Sequence, residues 1–397
     1  MFLVNQKSAV LSSKIAFAEK RLGTISFPDN TLEAYIKDLA DWLNELKDNV
    51  RIAQNEFREF LERTNFSEDA YLQTEPQRRL LEDLLRTYEG IETSFYLGVD
   101  AFLPLIPVWI NQRRDETTKR EHKLLIDFIQ ELLQLLGIPR EMMAIFGESH
   151  ACLPLSWRNL MRYVVFATYS EIENLRRWVI LTHEIGHIFY DLHSEEFKSS
   201  VIPQVMRKLV ETKPPNIGQR ELEDIIYIWT DKWIPELACD CFSVKTIGPP
   251  YAVQFMVMAL NSKPDYPYES HPPMTLRVDF MMDILESLAL PEFDVAFHRD
   301  VWNSYSRSVT QPSSRYILHE EVTKAALSGI NEIVGAASVE RGWNDVLATR
   351  QDLSNGKVPD KNLVSIVSAM ALLEPTINLE QVYRFLLERH APSSYAP

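Results

Sequence analysis

Trp178-Val-Ile-Leu-Thr-His183-Glu184-Ile-Gly-His187-Ile-Phe-Tyr190-Asp191-Leu-His193 is the stretch from which the rest of this 397-residue chain is read. At about 100° per residue, a helix through it points His183 and His187 within about 40° of each other, with Glu184 about 60° from His187. One face then carries two imidazoles with a carboxylate beside them, the residue types that a divalent metal and an adjacent base require. The flanks describe a buried helix: Val179, Ile180, Leu181, Ile185, Ile188 and Phe189 are apolar, Gly186 is small, and Glu184 is the only formal charge from Val179 to Phe189. A surface helix would carry charge on its outer face. An unpaired buried carboxylate is costly, and a metal removes that cost.

A catalytic zinc takes three protein ligands and keeps one position open. Two residues compete for the third place. His193 follows His187 by six, the metzincin spacing, but Tyr190 stands where that motif needs a glycine turn. On an unbroken helix His193 would face about 240° away from His187. Glu236 is the better choice, because Glu236 and Asp240 lie one helical turn apart on one face. The glutamate can bind the ion while the aspartate accepts a hydrogen bond from the far nitrogen of a ligand histidine. Cys239-x-Cys241 reads as two small buried hydrophobes, since zinc pairs use wider spacing and a second pair.

On these residues the chain resembles the gluzincins, the thermolysin-like zinc peptidases. It is most similar to the branch with Glu-x-x-Ala-Asp ligand helices and a later His-Pro segment followed by an arginine. The matching residues are His183, Glu184 and His187, then Glu236 and Asp240, then His271-Pro272 with Arg277. The alanine departs from the pattern, standing two residues before the aspartate at Ala238. The likeness spans about Ala144 to Leu288 and extends to small soluble bacterial proteins with a His-Glu-x-x-His core. It implies His183, His187 and Glu236 as ligands of Zn2+, Glu184 as general base, and His271 as donor to the oxyanion of a tetrahedral intermediate. Tyr163, Tyr169 and Tyr251 are further choices for that donor.

Composition narrows the field. The net charge is -15, and no Lys/Arg stripe stands out, which argues against a nucleic-acid partner. Cys152, Cys239 and Cys241 make an odd count with no disulfide framework, pointing to a reducing, cytoplasmic setting. The longest apolar run, Ala101 to Ile110, contains two prolines and is too short to span a bilayer.

Read in order, the chain is mainly α with a short mixed sheet, an α+β pattern. Residues 1–137 form a helical N-terminal region, 138–290 a zincin-like core, and 291–397 a helical C-terminal region. Helices are expected from about Leu32 to Leu46, Val50 to Arg63, Glu75 to Tyr88 and Thr117 to Leu136. Strands are expected around Ala144–Phe146 and Tyr163–Tyr169, the second as either an edge strand that pairs with extended substrate or an ordinary sheet strand. His193 to Gln219, with three prolines, reads as containing a loop. The expected function is zinc-dependent hydrolysis of a protein or peptide, with the helical flanks offered to a regulatory partner. The alternative is a helical interaction protein whose metal is structural or vestigial.

Overall fold

From Glu236 to Ile247 every side chain is buried, although the run includes Glu236, Asp240 and Lys245. The fold is built around this helix. The computed structural model describes residues 2–23, 30–64, 75–95, 105–106, 108, 112, 116–138, 143–147, 151–157, 160–168, 174–259, 271–309, 319–335, 339–373, 377 and 379–390. His150, Tyr169, most of the 101–110 run and the 268–270 approach to His271 lie outside them. The described residues are mainly helical with one small sheet, and they divide into two units, 1–115 with 154–163, and 116–153 with 164–397.

In the first unit, α1 (Phe2–Leu22), α2 (Asn30–Thr64) and α3 (Glu75–Phe95) pack pairwise. The two helices expected from Leu32 to Arg63 are one. No Gly or Pro breaks Lys47-Asp48-Asn49, and the buried series Leu39, Leu43, Leu46, Val50, Ala53, Phe57 keeps its period across it.

The second unit begins with α4 (Glu116–Leu135). Strands β1 (Met143–Gly147), β2 (Ala151–Trp157) and β3 (Leu160–Thr168), of which 154–163 count with the first unit, follow in sheet order β1-β3-β2. β1 runs parallel to β3 from Met143↔Val164 to Gly147↔Thr168. β3 is therefore the central strand and not an edge. β2, not foreseen from the sequence, holds Pro154 at the sheet border, where a missing N–H is tolerated.

A 3-10 segment, Leu175–Ile180, leads into the motif helix α5 (Leu181–Leu192). The stretch after it holds the expected loop at 212–218, with Pro214 and Pro215, and ahead of that loop a helix the sequence did not announce, α6 (Ile202–Glu211). Pro203 sits in its first turn, where no amide donor is needed, and Val205 and Leu209 bury one face. Helix α7 (Gln219–Tyr227) continues through a π-helical segment, Ile228–Trp233, into α8 (Ile234–Ile247). Gly248, at φ 79, ends α8 in a conformation an L side chain resists. Helices α9 (Pro249–Ala259) and α10 (Met274–Leu288) complete the walls of the site. The C-terminal helices are α11 (Val295–Val309), α12 (Glu320–Val334), α13 (Val339–Ser354), α14 (Leu363–Ala371) and α15 (Glu380–Arg389).

These last helices hold the core closed. Lys245 of α8 donates to the carbonyls of Asn331, at 2.9 Å, and Gly335, a cation at the C-terminal end of α12. Arg176, just ahead of α5, donates to Leu373 O at 2.9 Å and Ile377 O at 3.1 Å beyond α14. No helix of the described residues is long and apolar enough to cross a membrane.

α5 and α8 pack along each other, and Gly186 is where they come closest. A Cβ at Gly186 would lie 2.9 Å from Cys239 Cα, and backbone there cannot swing aside. Gly186→Ala is therefore expected to lower stability by about 1–3 kcal/mol through overpacking, in spite of alanine's better helix propensity. Denaturant unfolding measures it, and an alanine variant as stable as wild type would mean that this contact is looser than described.

Candidate metal centre

Asp240, wholly buried on α8, gathers groups from three other helices. Its Oδ1 accepts from Tyr251 Oη of α9 at 2.6 Å and from Arg277 Nη2 of α10 at 2.8 Å, and lies 3.1 Å from His183 Nδ1 of α5. Its Oδ2 accepts from Arg277 Nε at 2.7 Å. The guanidinium of Arg277 also lies over the Phe255 ring, 4.6 Å from its centroid. With Nδ1 turned toward Asp240, His183 presents Nε2 on the opposite side of the ring.

That side is where the remaining groups converge. His183 Nε2 is 3.2 Å from Glu236 Oε2, His187 Nε2 is 3.7 Å from Glu236 Oε1, and the two imidazole centroids are 5.1 Å apart. His271 Nε2 stands 3.6 Å from Glu236 Oε2, and Arg277 Nη1 3.4 Å. Despite these neighbours, Glu236 Oε2 is buried without a hydrogen-bond partner. An orphaned anionic oxygen between two imidazole nitrogens fits a cation, because a bound ion would supply the missing partner. Cys239 makes a grouping of its own with the two histidines, one that does not take in Glu236: its Sγ and one ring nitrogen each of His183 and His187 lie within 4.8 Å of one another, a spacing that can hold a metal ion.

The electrostatics are those of a tight, dry cluster. Burial disfavours ionisation of Asp240, yet the Arg277 charge and hydrogen bonds, with His183, hold it well below the usual carboxylate range. Burial likewise opposes charge on Glu236, but His183, Arg277 and His271 bring its pKa down to about 2. Burial favours neutral His183, and the carboxylates of Asp240 and Glu236 overcome it, raising the pKa to about 10. His187, buried beside a cationic neighbour, falls to about 4. His271 is lowered, by burial first and by Arg277. Burial, then the charges of Glu236, Asp240 and Glu184, raises the Cys239 thiol.

The structure thus brings together His183, His187, Glu236, Asp240, His271 and Arg277, with Glu184 buried next to His183 on α5. It does not bring in His193, whose Nδ1 pairs with Glu196 at 3.0 Å beyond the end of the helix. Tyr251 is fully buried behind His183, its hydroxyl committed to Asp240, so it cannot face a substrate carbonyl. Cys239 was read as filler; the signal was its place three residues after Glu236 and one before Asp240, on the same face of α8. Compared with known proteins, the chain matches no family model, no curated protein and no solved structure.

Asp240→Asn leaves the Arg277 charge buried without its counter-ion. It is expected to lower stability by about 3–5 kcal/mol and metal affinity by about 10–100-fold. Calorimetric unfolding and metal titration check both, and a neutral effect on each would remove Asp240 as the organising anion.

The metal-stripped protein has a definite pH profile. His183, with its folded pKa raised, contributes stability that is full below about 6.5 and lost as pH rises toward about 10. His187 is lowered, so the unfolded chain takes up its proton first as pH falls from 6.5 toward about 4. Glu236 contributes stability above its ordinary 4.5 that is lost toward about 2. Stability of stripped protein should therefore peak near pH 6.5. A curve that rises steadily to pH 9 would contradict the cluster.

Proposed function

We propose that this chain is a zinc-dependent metallopeptidase of gluzincin type, with a zincin-like core over 138–290 between two helical regions. The observation that carries the reading is the buried Glu236 carboxylate, whose Oε2 makes no hydrogen bond and stands 3.2 Å from His183 Nε2 while its Oε1 stands 3.7 Å from His187 Nε2. His183, His187 and Glu236 would hold the ion. Zinc bound there would supply Lewis acidity and lower the pKa of a coordinated water toward about 7.

The chain's own residues do the rest. Asp240 fixes the ring of His183 and makes it a better donor, while Arg277 and Tyr251 fix Asp240. Glu184, next to His183 in the first turn of α5, takes the proton of the attacking water and delivers it to the leaving amine nitrogen. His271, about half exposed and kept neutral by its lowered pKa, has one N–H to give to the substrate carbonyl oxygen as charge develops there. The packing of α5 against α8 buries His183, Glu184, Glu236 and Asp240, while His187 and His271 face the open side of the site. Free Cys239 and Cys241 accord with a cytoplasmic enzyme. The helical regions on either side would serve a substrate or regulatory protein.

A second reading is favoured by one observation. Cys239 beside both histidines would complete four protein donors, as in a structural ion inside a helical interaction protein.

Glu184→Gln separates the two. It is expected to keep its zinc and lose hydrolysis by at least about 100-fold, whereas His183→Ala loses the zinc itself. New protein N-termini are compared by proteomics in cells carrying the intact chain or Glu184→Gln, with zinc content measured on each purified protein. Cleavage products that persist unchanged with Glu184→Gln would end the peptidase reading.

A further inference from the structure

Cys239 lies in the closest part of the α5–α8 contact. A Cβ at Gly186 would be 2.9 Å from its Cα and 3.0 Å from its Cβ, so only the missing side chain at Gly186 lets this cysteine sit beneath the two histidines. Its Sγ and a ring nitrogen from each histidine fall within 4.8 Å of one another. Independently, Glu236, its side chain nine-tenths buried, turns Oε2 toward His183 Nε2 at 3.2 Å and Oε1 toward His187 Nε2 at 3.7 Å, and Oε2 has no hydrogen-bond partner. Glu236 and Cys239 are three residues apart and project from α8 about 60° from one another.

We propose that Cys239 Sγ is a protein donor to the ion held by His183 and His187, and that this thiol competes with water for a position in the centre. The inference rests on the metal reading above and not on hydrolysis. When the ion binds, a sulfur–metal bond forms, the S–H bond breaks and the proton leaves to solvent; no electrons change hands. A set of two imidazoles, a thiolate and a carboxylate selects borderline-soft divalent cations such as zinc, cobalt or cadmium over magnesium, calcium or manganese. With Glu236 it also makes four protein donors, so the centre opens to water only by releasing sulfur or by accepting a fifth ligand. A hydrolase built this way is latent until the sulfur leaves.

X-ray absorption at the zinc edge of the full, zinc-loaded chain tests this without any variant. One sulfur neighbour at about 2.3 Å is expected beside nitrogen and oxygen at about 2.0–2.1 Å. Cys239→Ser should lose the sulfur shell and still bind one zinc. Cys241→Ser, altered about 200° round the helix, should keep it. A wild-type spectrum with only nitrogen and oxygen neighbours overturns the role of Cys239 and leaves the metal centre standing. Absence of bound zinc overturns both.

Discussion

One buried carboxylate, Asp240, ties four helices into a single arrangement. Its two oxygens take hydrogen bonds from Tyr251 on α9 and Arg277 on α10, and His183 on α5 lies within reach of the same atoms. A fork of charged hydrogen bonds fixes helix azimuths more tightly than apolar packing alone, which tolerates rotation more readily. The guanidinium is satisfied by the carboxylate below and the Phe255 ring beside it. Burial of both charges is thereby made tolerable.

The contrast between the two acids of α8 is the functional message. Asp240 and Glu236 lie one turn apart, both buried, and both are held ionised. Asp240 is saturated with donors, while Glu236 Oε2, 3.4 Å from Arg277 Nη1 and 3.2 Å from His183 Nε2, completes no hydrogen bond. An oxygen left open beside two imidazoles is a position that could hold a cation. The same ring connects them, since His183 meets Asp240 with Nδ1 and Glu236 with Nε2. One end of the His183 ring is thus positioned by Asp240 and the other is turned to the group that could hold an ion.

Much of this was legible in the chain because helix periodicity is local. The spacing of His183, His187, Glu236 and Asp240 places each pair on one face wherever the helices go. Their meeting was inferred from chemistry, from the need for a third oxygen donor and a partner for the far nitrogen. What was not legible depends on packing across the fold. Cys239 looks like a core residue until Gly186 is seen to admit it to the histidines. Tyr251 reads as a possible oxyanion donor until α9 turns it behind His183. The proline-marked segment after the motif hides α6, because a proline at a helix start and one in a loop look alike in sequence. The π-helical segment before α8, which buries Trp229 and Trp233, has no clear signature in the residues.

The claim that everything rests on is that a cation belongs between Glu236 and the two histidines. The most direct measurement is an anomalous difference map at the zinc absorption edge from crystals of the intact chain grown with zinc. The account predicts one strong peak within bonding distance of His183 Nε2, His187 Nε2 and a Glu236 oxygen. A map with no peak there, or with Glu236 swung out to solvent while zinc binds elsewhere, would contradict it.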